Sequence, residues 1–120
     1  MQNPLLINKF SLGKGEKLLK TPEFKRVLRN GERQSTKHFK VFFFLNQTHK
    51  QRLGITASRK VGNAVTRNRI KRILREFFRL HKTCFPASSD ILFIAKQGAD
   101  QLDYSGLSKE LEVLLFSKRP

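Results

Sequence analysis

The sequence predicts an α+β fold: a two-layer α/β sandwich of one sheet with helices on one side. Three observations carry this. Phe39 to Leu45 and Asp90 to Lys96 are short apolar runs of strand length, rich in Phe, Val and Ile. Arg59 to Lys82 instead repeats its apolar residues at helical spacing. The whole chain has 120 residues, with no internal repeat and no linker, which suits a single domain, residues 1–120, around one core.

Residues 1–19 mix Lys, Gly and apolar residues and read as an extended arm. Thr21-Pro22-Glu23 reads as a helix start, with Thr at the cap and Pro at the first position. Phe24, Val27 and Leu28 share one face of that helix, and Asn30-Gly31 ends it. Phe39 to Leu45 follows as a strand, Asn46 to Gln51 as a polar turn, and Arg52 to Ser58 as a strand with β-branched Ile55 and Thr56. The basic helix runs from about Ala64 to Leu80 and stops at Phe85-Pro86. Asp90 to Lys96 is a buried strand. A last helix, about Ser105 to Phe116, packs through Leu107, Leu111, Leu114 and Leu115. The order is α-β-β-α-β-α, or α-β-β-β-α-β-α if the first strand region divides in two.

Charge narrows the partners. Net charge is +16, and it is uneven. Residues 1–82 carry 21 basic and 4 acidic side chains, whereas residues 83–120 carry 4 and 5. The excess therefore belongs to a surface, and an anionic partner, nucleic acid first, should relieve its self-repulsion. No apolar run approaches the ~20 residues of a membrane span. The start, MQNPLLINKF, has no signal-peptide pattern, and the lone Cys84 excludes an intrachain disulfide; both suit a cytoplasmic protein. His38, His49 and His81 lack zinc-ligand spacing. The nine acids form no obvious cluster for two metals, and no Ser/His/Asp constellation is apparent, so no catalytic residue is assigned to the protein.

The basic helix supplies the sharpest pattern. Arg59 to Lys82 holds nine Lys/Arg against one acid, Glu76. With Ile70 at zero on a helical wheel, Ile73, Leu74, Phe77 and His81 lie within about 60°. Asn68, Lys71, Arg72, Arg75, Arg79 and Lys82 lie roughly 100° to 200° away. Burying the apolar side thus turns a cationic side outward, and like charges at this spacing destabilise an isolated helix. Gly62-Asn63, between strand and helix, reads as a tight turn plus an N-cap, at a helix end whose amides attract phosphate. Arg67 and Arg69 add guanidinium forks suited to phosphate, and Asn68 an amide that donates and accepts.

Arg59-Lys60-Val61-Gly62-Asn63-Ala64-Val65, followed by Arg67-Asn68-Arg69-Ile70-Lys71-Arg72 and Arg75-Glu76, closely resembles the signature of the bacterial ribonuclease P protein subunit. Phe24 to Gly31, Leu53-Gly54-Ile55, Ala95-Lys96 and the Tyr104–Leu107–Leu111 helix fall in the family's order. The resemblance implies a ribonucleoprotein that removes the 5′ leader of precursor tRNA by Mg²⁺-dependent hydrolysis. The active site and the Mg²⁺ would lie with the RNA subunit and substrate. The protein would bind that RNA and the leader, and would need neither a membrane nor a protein partner. It also implies a ribosomal protein S5 domain 2-like fold with a left-handed β-α-β crossover, which periodicity would not suggest, since about 98% of crossovers are right-handed.

Two surfaces are implied. The RNA-subunit face would hold Arg59, Lys60, Asn63, Arg67, Asn68, Arg69, Lys71, Arg72 and Arg75. The leader cleft, between the first helix and the sheet, would hold Phe24, Leu28, Lys40, Phe42 and Phe44. On a strand Lys40, Phe42 and Phe44 share one face, and Phe39, Val41, Phe43 and Leu45 the other. Rings on the open face could stack on unpaired bases at ~1–3 kcal/mol each with little sequence preference. The plainer reading, Phe42 and Phe44 packed under a helix, stays open. The chain departs from the family pattern at Leu28, where an aromatic is common, and at Lys40, where a β-branched apolar residue is common. A ribosomal protein or general RNA chaperone is the alternative; it would need only a basic patch, not an ordered motif. A helix-turn-helix DNA binder fits poorly, because the basic helix follows a strand directly.

Overall fold

Both faces of the Phe-rich strand are apolar, and the structure covers both, though unequally. The computed structural model describes residues 21–117, so the arm expected at 1–19 lies outside the described residues. Helix α1 (Thr21–Asn30) precedes strands β1 (Glu32–Ser35), β2 (Phe39–Leu45) and β3 (Arg52–Ala57). Helix α2 (Ala64–Leu80), strand β4 (Ser89–Ala95) and helix α3 (Tyr104–Ser117) follow, with short 3-10 turns at Lys82–Cys84 and Ala99–Gln101. The first strand region does divide in two.

The strands form one sheet in the order β1-β2-β4-β3. β1–β2 and β2–β4 are antiparallel, while β3 and β4 run parallel. A parallel neighbour needs a crossover, and α2 supplies it. Registers such as Val41↔Phe93 and Ile55↔Phe93 put Phe39, Val41, Phe43, Leu53, Ile55, Ile91 and Phe93 on one face. Ile70, Leu74, Phe77 and Phe78 of α2 and the four leucines of α3 bury that face. Phe77 and Phe85 meet Phe93 edge-on, at 6.5 and 6.3 Å between ring centroids, so phenylalanine fills the core as the composition suggests.

Helix α1 departs from the one-sided layering. Its Val27, fully buried, packs with Phe42 and Leu92 on the opposite face, flanked by Phe24, Phe44 and Ile94. The helix ends where it touches the sheet: the Gly31 N–H donates to the Val27 carbonyl at 2.8 Å. A Cβ on Gly31 would lie 2.6 Å from that oxygen and 3.0 Å from the Phe43 carbonyl, so the close approach requires glycine.

The turn between β1 and β2 is fastened to α3. The His38 amide donates to Glu110 Oε2 at 2.7 Å, and its Nδ1 lies 2.7 Å from Oε1. Burial pushes the Glu110 pKa up, but hydrogen bonds from His38 and Thr36 together outweigh it and hold the carboxyl below its ordinary 4.5. A depressed folded pKa means stabilisation present above the unfolded value and lost as pH falls through the folded one. Stability should therefore decline below about pH 4.5, and Glu110→Gln should flatten that limb of a urea-midpoint profile. An acid limb identical in the variant would remove Glu110 as a contributor.

Candidate nucleic-acid interface

The turn Ser58–Gly62 delivers the chain from β3 into α2. Gly62 has φ 155°, and a Cβ there would sit 2.8 Å from Thr66 Cγ2, so no other residue suits the turn. Asn63 Oδ1 accepts from the Thr66 amide at 2.9 Å, which makes Asn63 the N-cap. The first turn of α2 carries no acid, so the positive end of the helix dipole is not offset by its own side chains.

Along this turn and α2, burial sorts the residues of the basic surface. Arg59, Lys60, Asn63, Asn68, Arg72 and Arg75 are exposed; Arg67, Arg69 and Lys71 are half-buried. Of these, Asn68, Arg72 and Arg75 lie on the side of α2 away from the sheet, because Ile70, Leu74, Phe77 and Phe78 face toward it. Arg79 is drawn along the helix to Glu76, with Nη2 2.6 Å from Oε2, so its charge is locally neutralised. Arg69 turns aside: Nη2 donates to the Leu102 carbonyl at 2.9 Å and Nη1 reaches the Asp100 carbonyl at 3.5 Å. It braces the segment entering α3. Arg67 Nε is buried with no hydrogen-bond partner among the described residues.

The residues of the second surface gather between α1 and the sheet, but not equally. Phe42 is buried, at 7% exposure, beneath α1. Its ring is part of the packing that seats the helix. Phe24, Lys40 and Phe44 are half-buried along the opening, and Leu28 is 47% exposed. The Arg26 guanidinium lies 5.5 Å from the centre of the Phe44 ring. Exposed Arg33 stands opposite Phe42 in the β1–β2 register and so on the same face. Arg26 and Arg33 escaped the sequence reading. Arg33 belongs to a strand without apolar alternation, and nothing in the spacing ties Arg26 to β2.

One end of the cleft is closed by charge. Asp90, fully buried opposite Phe44, accepts from Arg52 Nε at 2.8 Å and from Arg52 Nη2 at 3.1 Å. Asn46 Nδ2 donates to the same carboxylate at 2.7 Å. Arg52 Nη1 then reaches Glu23 of α1 at 2.6 Å. The Asp90 hydrogen bond dominates in holding the Arg52 guanidinium pKa above its ordinary value, against the opposing effect of burial. Two acids beside a cationic cleft are thus both engaged by one arginine.

The chain's likeness to known proteins identifies its family. The sequence profile of the family Ribonuclease P matches residues 12–118. The ribonuclease P protein component of Syntrophus aciditrophicus is 44% identical over 114 residues, 95% of each chain. That of a Geobacter species is 47% identical over 98 residues, 82% of this chain and 84% of its own. Among solved structures, the Staphylococcus aureus RNase P protein superposes with a TM-score of 0.78 at 36% identity, over 88% of this chain and 97% of that one. The RNase P protein from Thermotoga maritima gives 0.76 at 30% identity, over 88% and 99%. Profile, relatives and fold agree across nearly the whole length: the chain belongs to the ribonuclease P protein family.

Proposed function

We propose that this chain is the protein subunit of ribonuclease P, a single RNA-binding domain acting in the cytoplasm on the catalytic RNA and on precursor tRNA. It assists Mg²⁺-dependent removal of the 5′ leader, and the RNA subunit carries the active site. The observation that carries the reading is the pair of surfaces divided by the sheet. On one side Asn68, Arg72 and Arg75 of α2 point away from the core, with exposed Arg59, Lys60 and Asn63 in the turn leading into it; on the other, α1 and β2 frame a cleft with Phe44, Lys40 and Phe24 at its opening. The first surface suits the folded RNA subunit, whose phosphates need charge more than shape. The second suits an unpaired leader, whose bases can stack on half-open rings without sequence preference. Family membership speaks against the alternative of a ribosomal protein or general RNA chaperone.

Several acids are already engaged by basic partners. Asp90 is committed to Arg52, Glu76 to Arg79 and Glu110 to His38. Among the described residues no three His, Cys, Asp or Glu stand where they could hold a metal ion. The described acids do not fit a protein-held Mg²⁺. The RNA subunit and substrate would hold the ion instead. No helix among the described residues is long and apolar enough to cross a membrane.

Reconstitution tests this. Added to a bacterial ribonuclease P RNA at low Mg²⁺, the protein should raise the rate of precursor-tRNA cleavage, and high Mg²⁺ should narrow the gain. Absence of stimulation at every Mg²⁺ concentration would sink the proposal.

A further inference from the structure

Residues 23 and 27 of α1 and Gly31 just past its end lie four apart, and each reaches the sheet in a different way. Gly31 lets the backbone approach β2. Val27 buries itself against Phe42 and Leu92. Glu23, at the other end, meets Arg52 of β3 at 2.6 Å. Arg52 is a fixed anchor, since buried Asp90 holds its Nε and Nη2. The open edge of the cleft lies beside these residues: Phe24 adjoins Glu23, and Phe44 sits opposite Asp90. Tilting the Glu23 end of α1 would change the gap over Phe44 and leave the Gly31 end in place.

We infer that Glu23 is a positioning residue: its ion pair with Arg52 sets how α1 stands over the cleft, and thereby how well the protein distinguishes a precursor carrying a leader from mature tRNA. The inference rests on the leader-cleft reading proposed above. Glu23 has 21% of its side chain exposed, and Arg52 keeps Asp90 when Glu23 is removed, so no buried charge is stranded by the change. Glu23 need not touch the leader. It acts through the helix, which also presents Arg26 to Phe44.

The experiment uses the reconstituted holoenzyme and measures Kd for precursor tRNA and for mature tRNA, with wild-type protein and with Glu23→Ala. The wild type should favour the precursor, and Glu23→Ala should cut that preference about threefold, as expected for losing one partly exposed ion pair. Mature-tRNA affinity and the salt dependence of RNA binding should stay unchanged, because Glu23 lies away from α2. A preference kept in full, or an equal loss for both tRNAs, would overturn the inference. A wild type with no preference for the precursor would instead overturn the leader-cleft reading itself, so the two failures are distinct.

Discussion

Asp90→Ala is expected to destabilise the free protein by about 3–5 kcal/mol, the cost of breaking a buried charge pair from one side. The carboxylate has no exposure and accepts hydrogen bonds from Arg52 and Asn46. Its removal leaves Arg52 with Glu23 alone of its two acids, in a site where water has little access, and strips Asn46 Nδ2 of a 2.7 Å acceptor. The loss would lower Tm by on the order of 10–20 °C in a domain of this size. Urea denaturation of the free protein should show an earlier midpoint at an unchanged slope. A loss below about 1 kcal/mol would mean that the site relaxes and rehydrates, and that the network contributes little net stability. The measurement belongs on free protein, because bound RNA would add stability of its own by mass action.

Asp90 also shows where sequence reading stops. It stood at the start of a predicted apolar strand, and nothing in DILFIAK said that its carboxylate would be buried against an arginine 38 residues earlier. Pairing of that kind is set by the parallel register of β3 and β4. The α2 helix was readable to its ends because both signals there are local: a cap at Asn63 and apolar residues at fixed spacing. The leucines of α3 were readable for the same reason, and all four are buried. β1 was only half seen, because ERQS has no apolar face and is a strand through its ladder to β2. The placement of α1 has a sequence cause: β2 is apolar on both faces and needs cover on both. At the candidate site, residue types were visible but their commitments were not. Arg69 and Arg79 look like free cations in the sequence, yet one braces backbone carbonyls and the other pairs with Glu76.

Those commitments fix which residues should dominate RNA binding. Arg72 and Arg75 are exposed, lie on the side of α2 away from the core and have no ion pair among the described residues. They are the pair to remove together. If each neutralises one phosphate, the double substitution Arg72→Ala, Arg75→Ala should reduce the slope of log K against log salt by about 2. At ~0.1 M salt that corresponds to roughly 60-fold weaker binding to the RNA subunit, a difference that should shrink toward nothing near ~1 M. Fold stability should change by no more than about 0.5 kcal/mol, since both side chains are at the surface. It could even rise, because removing cations from a crowded face relieves repulsion. Arg69→Ala makes the contrast. It should weaken binding with little change in slope, because its guanidinium holds the segment entering α3 and the loss would be one of geometry. A filter-binding series across salt concentrations reads both slopes. If Arg69→Ala lowers the slope as Arg72→Ala does, its guanidinium leaves the carbonyls for phosphate when RNA binds. If the double variant keeps the wild-type slope, the outward side of α2 is not the face that meets the RNA.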